Sequence, residues 1–327
     1  RVRRGPEAPG NRSLHFHLIN KAHSALLLKQ GARTEPLTSK NNTELSMRVS
    51  LNALLAMKPK GQKITMLTAY DYSSARLIDA AQIPMVLVGD SLGMVMHGLE
   101  TTIPVTLDLM IAHATAVMRG NTSSFIVVDL PFLTYSTLED ATHAAGRVMR
   151  ETQAQAVKLE GGRHIAPIIK HLTQNGIPVM GHLGFTPQSQ NQIGLRVQGK
   201  DEAGAQTLIE DALALEKAGA FALVLELIPA ALAAEITKRL RIPTIGIGAG
   251  PDCDGQVQVW HDILGLFDKA PRHAKQFADV GALIRSALDA YRNEVETGQF
   301  PTMAQSAKID ESQLARAIEN LDRHKTT

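Results

Sequence analysis

The chain has 327 residues, 44% of them hydrophobic and 20% charged, with mean hydropathy −0.06, the profile of a globular protein rather than a collagenous, disordered or membrane chain. The net charge of +2 is unevenly placed: residues 1–46 hold eight Lys/Arg against three Asp/Glu, so the body from 47 onward, with 26 against 29, is mildly acidic. Its pI of 8.6 therefore comes from the N-terminal segment and gives no case for a nucleic-acid partner, no apolar run reaches the roughly 18 residues of a membrane span, and the single Cys253 excludes an internal disulfide or a multi-cysteine zinc site.

In chain order, residues 1–46 are Arg-, Pro- and Gly-rich at the start, with one short apolar stretch at Ala25-Leu28, and are expected to be a disordered extension. Such a basic segment reads either as a mitochondrial transit peptide or as an upstream extension of a cytoplasmic enzyme, the latter being the default. From about residue 61, short apolar runs alternate with helix-patterned stretches. The runs are 64–69, 85–89, 125–129, 156–160, 178–182, 221–226, 244–248 and, less clearly, 257–261; the helical patterns cover 73–82, 106–118, 137–153, 163–175, 203–219, 230–240, 274–296 and 306–323. Near-continuous apolar strands separated by helices indicate a buried parallel sheet. Eight such units predict an α/β fold, a (β/α)8 TIM barrel over 47–303, followed by a charged helical tail over 304–327. An open doubly wound sheet is the competing fold, but the first strand is followed by AYDYSS, not by a glycine-rich dinucleotide fingerprint.

In a barrel the chemistry sits where strands end, and here the strand ends are polar. Asp90, Asp129 and Glu160 close three of them, an all-oxygen set suited to a hard cation such as Mg²⁺ and poorly matched to zinc. Each aspartate could instead cap the following helix or turn. Lys158 and Glu160 alternate with Leu159 and so project to one side of their strand, where Lys158 could hold a substrate carboxylate or form a buried ion pair. Glu226 ends Leu223-Val224-Leu225; an apolar setting would raise its pKa and suit it to proton transfer, whereas a solvent-facing position would not. His182, between two glycines, could orient substrate or be a satisfied core residue. GIGAG (246–250) permits either close approach to a ligand or tight packing.

Together, TAYDYSSA (68–75), VGDSLGMVMHG (88–98), TIPVT (102–106), DLPF (129–132), VKLEGG (157–162), GHLGFTPQS (181–189), VQGK (197–200), DALALEKAGA (211–220) and IGIGAG (245–250) resemble the ketopantoate (3-methyl-2-oxobutanoate) hydroxymethyltransferase family of the phosphoenolpyruvate/pyruvate barrel superfamily, over about residues 50–303. The resemblance implies transfer of a hydroxymethyl group from 5,10-methylenetetrahydrofolate to 3-methyl-2-oxobutanoate, giving 2-dehydropantoate on the way to pantothenate and coenzyme A. It implies one Mg²⁺ held by Asp90 and Asp129, with Glu160 completing the site directly or through water. It further implies contacts from Asp90, Ser91, Asp129 and Lys158 to the 2-oxo acid, Glu226 as proton acceptor, and His182 lining the pocket. A homo-oligomer, commonly a decamer in the family, follows from the same resemblance. Two other readings stay open. One is a different Mg²⁺-dependent 2-oxo-acid enzyme of this barrel, a C–C lyase or phosphonomutase, which would use a Cys or Ser loop that KLEGG does not offer. The other is a non-catalytic metabolite-binding barrel, which would have a broken acidic set.

Overall fold

A computed structural model describes residues 48–324; the expected N-terminal extension lies outside the described residues. Eight parallel strands close into a barrel in sequential order: β1 (Ile64–Thr68), β2 (Met85–Val88), β3 (Phe125–Asp129), β4 (Ala156–Glu160), β5 (Val179–Gly184), β6 (Ala222–Glu226), β7 (Thr244–Ile247) and β8 (Gly255–Gln258). The β1–β8 pairing that closes the ring runs from Ile64↔Gly255 to Leu67↔Gln258.

Side chains alternate across each strand, and the two faces form two separate cores. Inward residues Ile64, Met66, Met85, Leu87, Phe125, Val127, Ala156, Met180, Val224, Ile247 and Val257 fill the barrel interior. Leu54, on a short helix Leu51–Leu55, joins that cluster with Val49, Leu51 and Leu55 packed against it. Val49 N–H donates to the carbonyl of Ser123, just before β3, so this segment closes the N-terminal end. Outward residues, including Val86, Val88, Ile126, Val128, Val157, Leu159, Leu223 and Leu225, pack against helix residues such as Ile78, Met110, Val117, Val148, Ile169, Leu215 and Ile236.

The surrounding helices begin where a side chain can take up a free N–H. Asp71, Thr106, Thr137 and Asp201 cap the helices Tyr72–Ala80, Leu107–Gly120, Leu138–Thr152 and Glu202–Lys217. Three boundaries differ from the sequence reading. The eighth strand begins at Gly255, two residues earlier than expected, because only glycine fits there: a Cβ would lie 2.3 Å from the Ile64 carbonyl oxygen. The residues that follow turn at once into a helix, Trp260–Leu264. The long helix starts at Val280, not 274, behind Asp279, whose carboxylate accepts the Ala282 N–H. The tail holds a short 3-10 turn, Met303–Gln305, and a helix Glu311–His324, separated by Asp310, which accepts the N–H groups of Ser312 and Gln313.

Candidate active site

In β3, β4, β5 and β6 the inward phase carries through to the last residue. Asp129, Lys158, Glu160 and Glu226 therefore end β3, β4 and β6 pointing into the barrel mouth, and His182 does so from β5. Asp90 follows β2 after Gly89. These residues line one cavity of about 280 Å³, together with apolar walls that include Leu87, Val95, Phe185, Val224 and Ile247. Asp90, Asp129, Lys158, Glu160 and His182 are each 5% exposed or less, a concentration of buried charge that requires mutual compensation.

The contacts form a chain across the mouth. Asp129 accepts the Asp90 N–H through Oδ2 at 3.0 Å, and its Oδ1 lies 2.9 Å from Lys158 Nζ. Lys158 Nζ is 3.8 Å from Glu160 Oε1 and 3.2 Å from His182 Nδ1. His182 Nδ1 lies 3.4 Å from Glu160 Oε1 and its Nε2 3.2 Å from Glu226 Oε2. The Glu226 carboxylate thus faces a histidine across the cavity, not the wholly apolar setting its strand suggests. Ser91 Oγ shares a 2.8 Å hydrogen bond with Tyr70 Oη.

With Asp90, Asp129, Glu160 and Glu226 ionised, Lys158 and a protonated His182 leave two of their negative charges uncompensated. Burial, reinforced by Asp129 and Glu160, pushes Asp90 well above the ordinary carboxylate range. Burial also raises Asp129, against the opposing pull of Lys158. Burial disfavours the Lys158 ammonium, but Asp129, Glu160 and Asp90 outweigh it and hold the pKa above its usual value. Glu160 ends below the normal range because His182, Lys158 and the Gln188 N–H overcome its desolvation. His182 is raised to about 9: burial and Lys158 oppose its charge, and the nearby Glu160 and Glu226 carboxylates prevail.

A divalent cation fits this set on chemical grounds. Asp129 Oδ1 and Glu160 Oε1 are buried without an aligned hydrogen-bond donor, and a hard cation prefers such oxygens. Among the described residues no three His, Cys, Asp or Glu side chains converge on one metal position.

Other polar or small residues near the strand ends take structural roles. Asp71, after the first strand, is a helix cap. In GIGAG, Gly250 leaves room for Ala230, whose Cβ lies 2.4 Å from where a glycine Cβ would be added. Cys253 is fully buried, with Sγ 3.0 Å from the Cβ position of Gly246. Two functional neighbours were missed. Gln188, buried in the turn Pro187–Ser189, bonds both Asp90 and Glu160, and Tyr135 bonds Gln188. Gln188 lies inside the GHLGFTPQS motif, so a signal for it existed; Tyr135 carried none.

Comparison with known proteins agrees with this geometry. The family model described as ketopantoate hydroxymethyltransferase matches residues 48–303. A 3-methyl-2-oxobutanoate hydroxymethyltransferase of Gluconacetobacter diazotrophicus is 60% identical over 273 residues, 83% of this chain and 99% of its own. Enzymes of the same name from Chloroflexus aurantiacus and Roseiflexus sp. are 57% and 58% identical over 84% of this chain and 99% and 100% of theirs. Among solved structures, a phosphonopyruvate hydrolase in complex with oxalate and Mg²⁺ superposes with TM-score 0.54 at 12% identity, covering 84% of this chain and 98% of its own. A 2,3-dimethylmalate lyase, a member of the PEP mutase/isocitrate lyase superfamily, gives 0.50 at 17%, covering 84% and 100%; both show the barrel fold. By family match and by identity over nearly the whole length of its relatives, the chain belongs to the ketopantoate hydroxymethyltransferase family and is an enzyme of that class.

Proposed function

We propose that the enzyme draws its hydroxymethyl group from 5,10-methylenetetrahydrofolate and uses Mg²⁺, held by Asp90 and Asp129 with Glu160 acting directly or through water, to convert 3-methyl-2-oxobutanoate to 2-dehydropantoate. The observation that carries this reading is the buried charge excess: Asp90, Asp129, Glu160 and Glu226 crowd one cavity around Lys158 and His182, with Asp262 also on its wall. When bound, Mg²⁺ supplies a Lewis acid for the negative charge that develops on the ketone oxygen as the adjacent carbon loses its proton.

The chain's own residues do the rest. Lys158 offsets the charge of the 2-oxo acid's carboxylate, and the Ser91 hydroxyl, oriented by Tyr70, offers a further contact. Leu87, Val224 and Ile247 give the isopropyl group an apolar wall. Glu226 accepts the C3 proton; His182 holds that carboxylate through Nε2 and leaves the other oxygen for the substrate. The C3 carbanion then forms a carbon–carbon bond to the one-carbon unit of the folate, water supplies the hydroxyl, and tetrahydrofolate leaves. C3 of the product is quaternary and has no proton left for a second round.

A lyase or phosphonomutase reaction is less well supported, since the one cysteine is buried away from the cavity. In the same proposal, the barrel spans 47–303 with an N-terminal extension and a charged tail, the enzyme is a homo-oligomer, up to a decamer, and it acts in the cytoplasm, or in mitochondria if residues 1–46 serve as a transit peptide. The test is proton–deuterium exchange at C3 of 3-methyl-2-oxobutanoate in D2O, followed by NMR with and without Mg²⁺ and then with methylenetetrahydrofolate. Metal-dependent exchange that becomes hydroxymethyl transfer supports the reading; no exchange by folded, Mg²⁺-loaded enzyme overturns it.

A further inference from the structure

One neutral residue, Gln188, touches two carboxylates of this acidic site, Asp90 through its side chain and Glu160 through its backbone N–H. Gln188 is 4% exposed. Its Nε2 donates to Asp90 Oδ2 at 2.8 Å and to the Leu130 carbonyl at 2.9 Å, its backbone N–H donates to Glu160 Oε2 at 3.0 Å, and its Oε1 accepts from Tyr135 Oη at 2.6 Å. The Tyr135 hydroxyl in turn accepts the Glu160 N–H at 3.3 Å.

We infer that Gln188, oriented by Tyr135, is a positioning residue that holds Asp90 and Glu160 each by one oxygen and so presents their other oxygens to a divalent cation. This rests on the Mg²⁺ reading above. The amide has only one workable orientation, because the Leu130 carbonyl can only accept; flipping it would set oxygen against oxygen there and leave the Tyr135 hydroxyl facing an NH₂ group. The Leu130 carbonyl thus fixes the direction of the amide, and the Tyr135 hydroxyl, donating to Oε1, holds it there. The fixed amide occupies Asp90 Oδ2 and leaves Oδ1 without a hydrogen bond among the described residues. The Gln188 N–H does the same at Glu160, where Oε1 is the buried atom without an aligned donor.

The neutrality of the amide matters as much as its geometry. A Lys or Arg at 188 could satisfy the same Asp90 oxygen but would cancel charge that attracts a cation. The amide satisfies Asp90 Oδ2 and leaves the charge in place. Partners of this kind, which orient metal ligands from behind, typically change metal affinity by about 10–100-fold when removed.

The test is Mn²⁺ titration of the metal-stripped full-length enzyme, read by electron paramagnetic resonance, for native protein, Gln188→Leu and Tyr135→Phe, with folding checked by circular dichroism. Gln188→Leu is expected to weaken Mn²⁺ binding by about 10–100-fold. Tyr135→Phe keeps the packing and loses the hydroxyl's hydrogen bonds to Gln188 Oε1 and the Glu160 N–H, so it should weaken binding by about threefold to tenfold. In both, kcat should recover toward the native value as the metal concentration is raised, which a general loss of structure would not allow. Native Mn²⁺ affinity in folded Gln188→Leu overturns the inference and leaves the Mg²⁺ reading standing. Should Gln188→Leu fail to fold, native affinity in Tyr135→Phe overturns it equally. Failure of the native enzyme to bind Mn²⁺ or Mg²⁺ overturns the metal reading and this inference with it.

Discussion

His182 provides the sharpest test of the charge arrangement, because its protonation links the two ends of the site. Its pKa rises from an ordinary 6.5 to about 9 in the folded protein, and a shift of that size corresponds to about 3 kcal/mol of stability. Since the folded value lies above the unfolded one, this contribution is fully present below pH 6.5 and is lost as pH rises through about 9. The expected outcome for metal-free enzyme in chelator is that the difference in unfolding free energy between native protein and His182→Gln shrinks by about 3 kcal/mol between about pH 6 and about pH 10. Urea denaturation of the two proteins across that range measures it, and the difference removes every group they share. NMR titration of the His182 ring proton gives an independent midpoint, expected close to 9. A midpoint near 6.5 with a flat difference would falsify the imidazolium: His182 would then be a neutral ring, accepting from Lys158 at Nδ1 and donating to Glu226 at Nε2.

Four further outcomes are expected. Glu226→Gln preserves shape but not basicity, so C3 exchange should fall by about 10²–10⁴-fold with little change in KM; near-native exchange would remove Glu226 as the base. Lys158→Met leaves Asp129 and Glu160 without their buried partner and should cost about 3–5 kcal/mol, read by chemical denaturation; a cost under about 1 kcal/mol would mean that the ion pair contributes little. Gly184→Ala places a Cβ 2.1 Å from the Glu226 carbonyl oxygen at a φ of +95°, so thermal unfolding should show a loss of more than about 2 kcal/mol along with reduced activity as β6 is displaced. Cys253 is fully buried, with its thiol pushed up by desolvation, so it should react with a thiol reagent only on unfolding; prompt modification of native enzyme would contradict its placement.

The barrel was legible because buried parallel strands announce themselves as apolar runs, and seven of the eight lie within two residues of their expected bounds. The eighth was shifted because its sequence, Gly255-Gln256-Val257-Gln258, is half polar and takes its place from pairing with β1. Asp71 and Asp90 show the limit of reading acids at strand ends. Both follow an apolar strand, yet Asp71 is spent capping a helix while Asp90 enters the cavity. The difference lies in where the next helix starts: at Asp90 the cap position falls on Ser91, which makes no capping bond through its side chain. The surroundings of Glu226 were misjudged for a similar reason. Its flanks are apolar, but the β5–β6 register sets Gly184 opposite Glu226 and His182 opposite Val224, which brings the histidine within reach from the neighbouring strand.

The same two-residue period that hides the hydrophobic face explains why the chemistry gathers at one end. Along β4 the inward positions are Ala156, Lys158 and Glu160, and along β6 they are Ala222, Val224 and Glu226. Each of these strands turns from apolar to charged as it nears its carboxyl end. Beneath the charges, the interior layer of Met66, Leu87, Val127 and Met180 excludes water, so the Lys158–Asp129 contact acts in a medium where charges are screened weakly. That strengthens the pairing and also makes any surplus charge costly. Two surplus carboxylates cannot be relieved from below by solvent; they are relieved by protons, the direction in which burial pushes Asp90 and Asp129, or by a cation. Proton and cation thus compete for the same oxygens, and cation binding must release protons from them. Metal affinity should therefore climb with pH while Asp90 and Asp129 ionise, which Mn²⁺ titration at several pH values would detect. An affinity independent of pH would mean that these two aspartates are not the groups the cation displaces protons from.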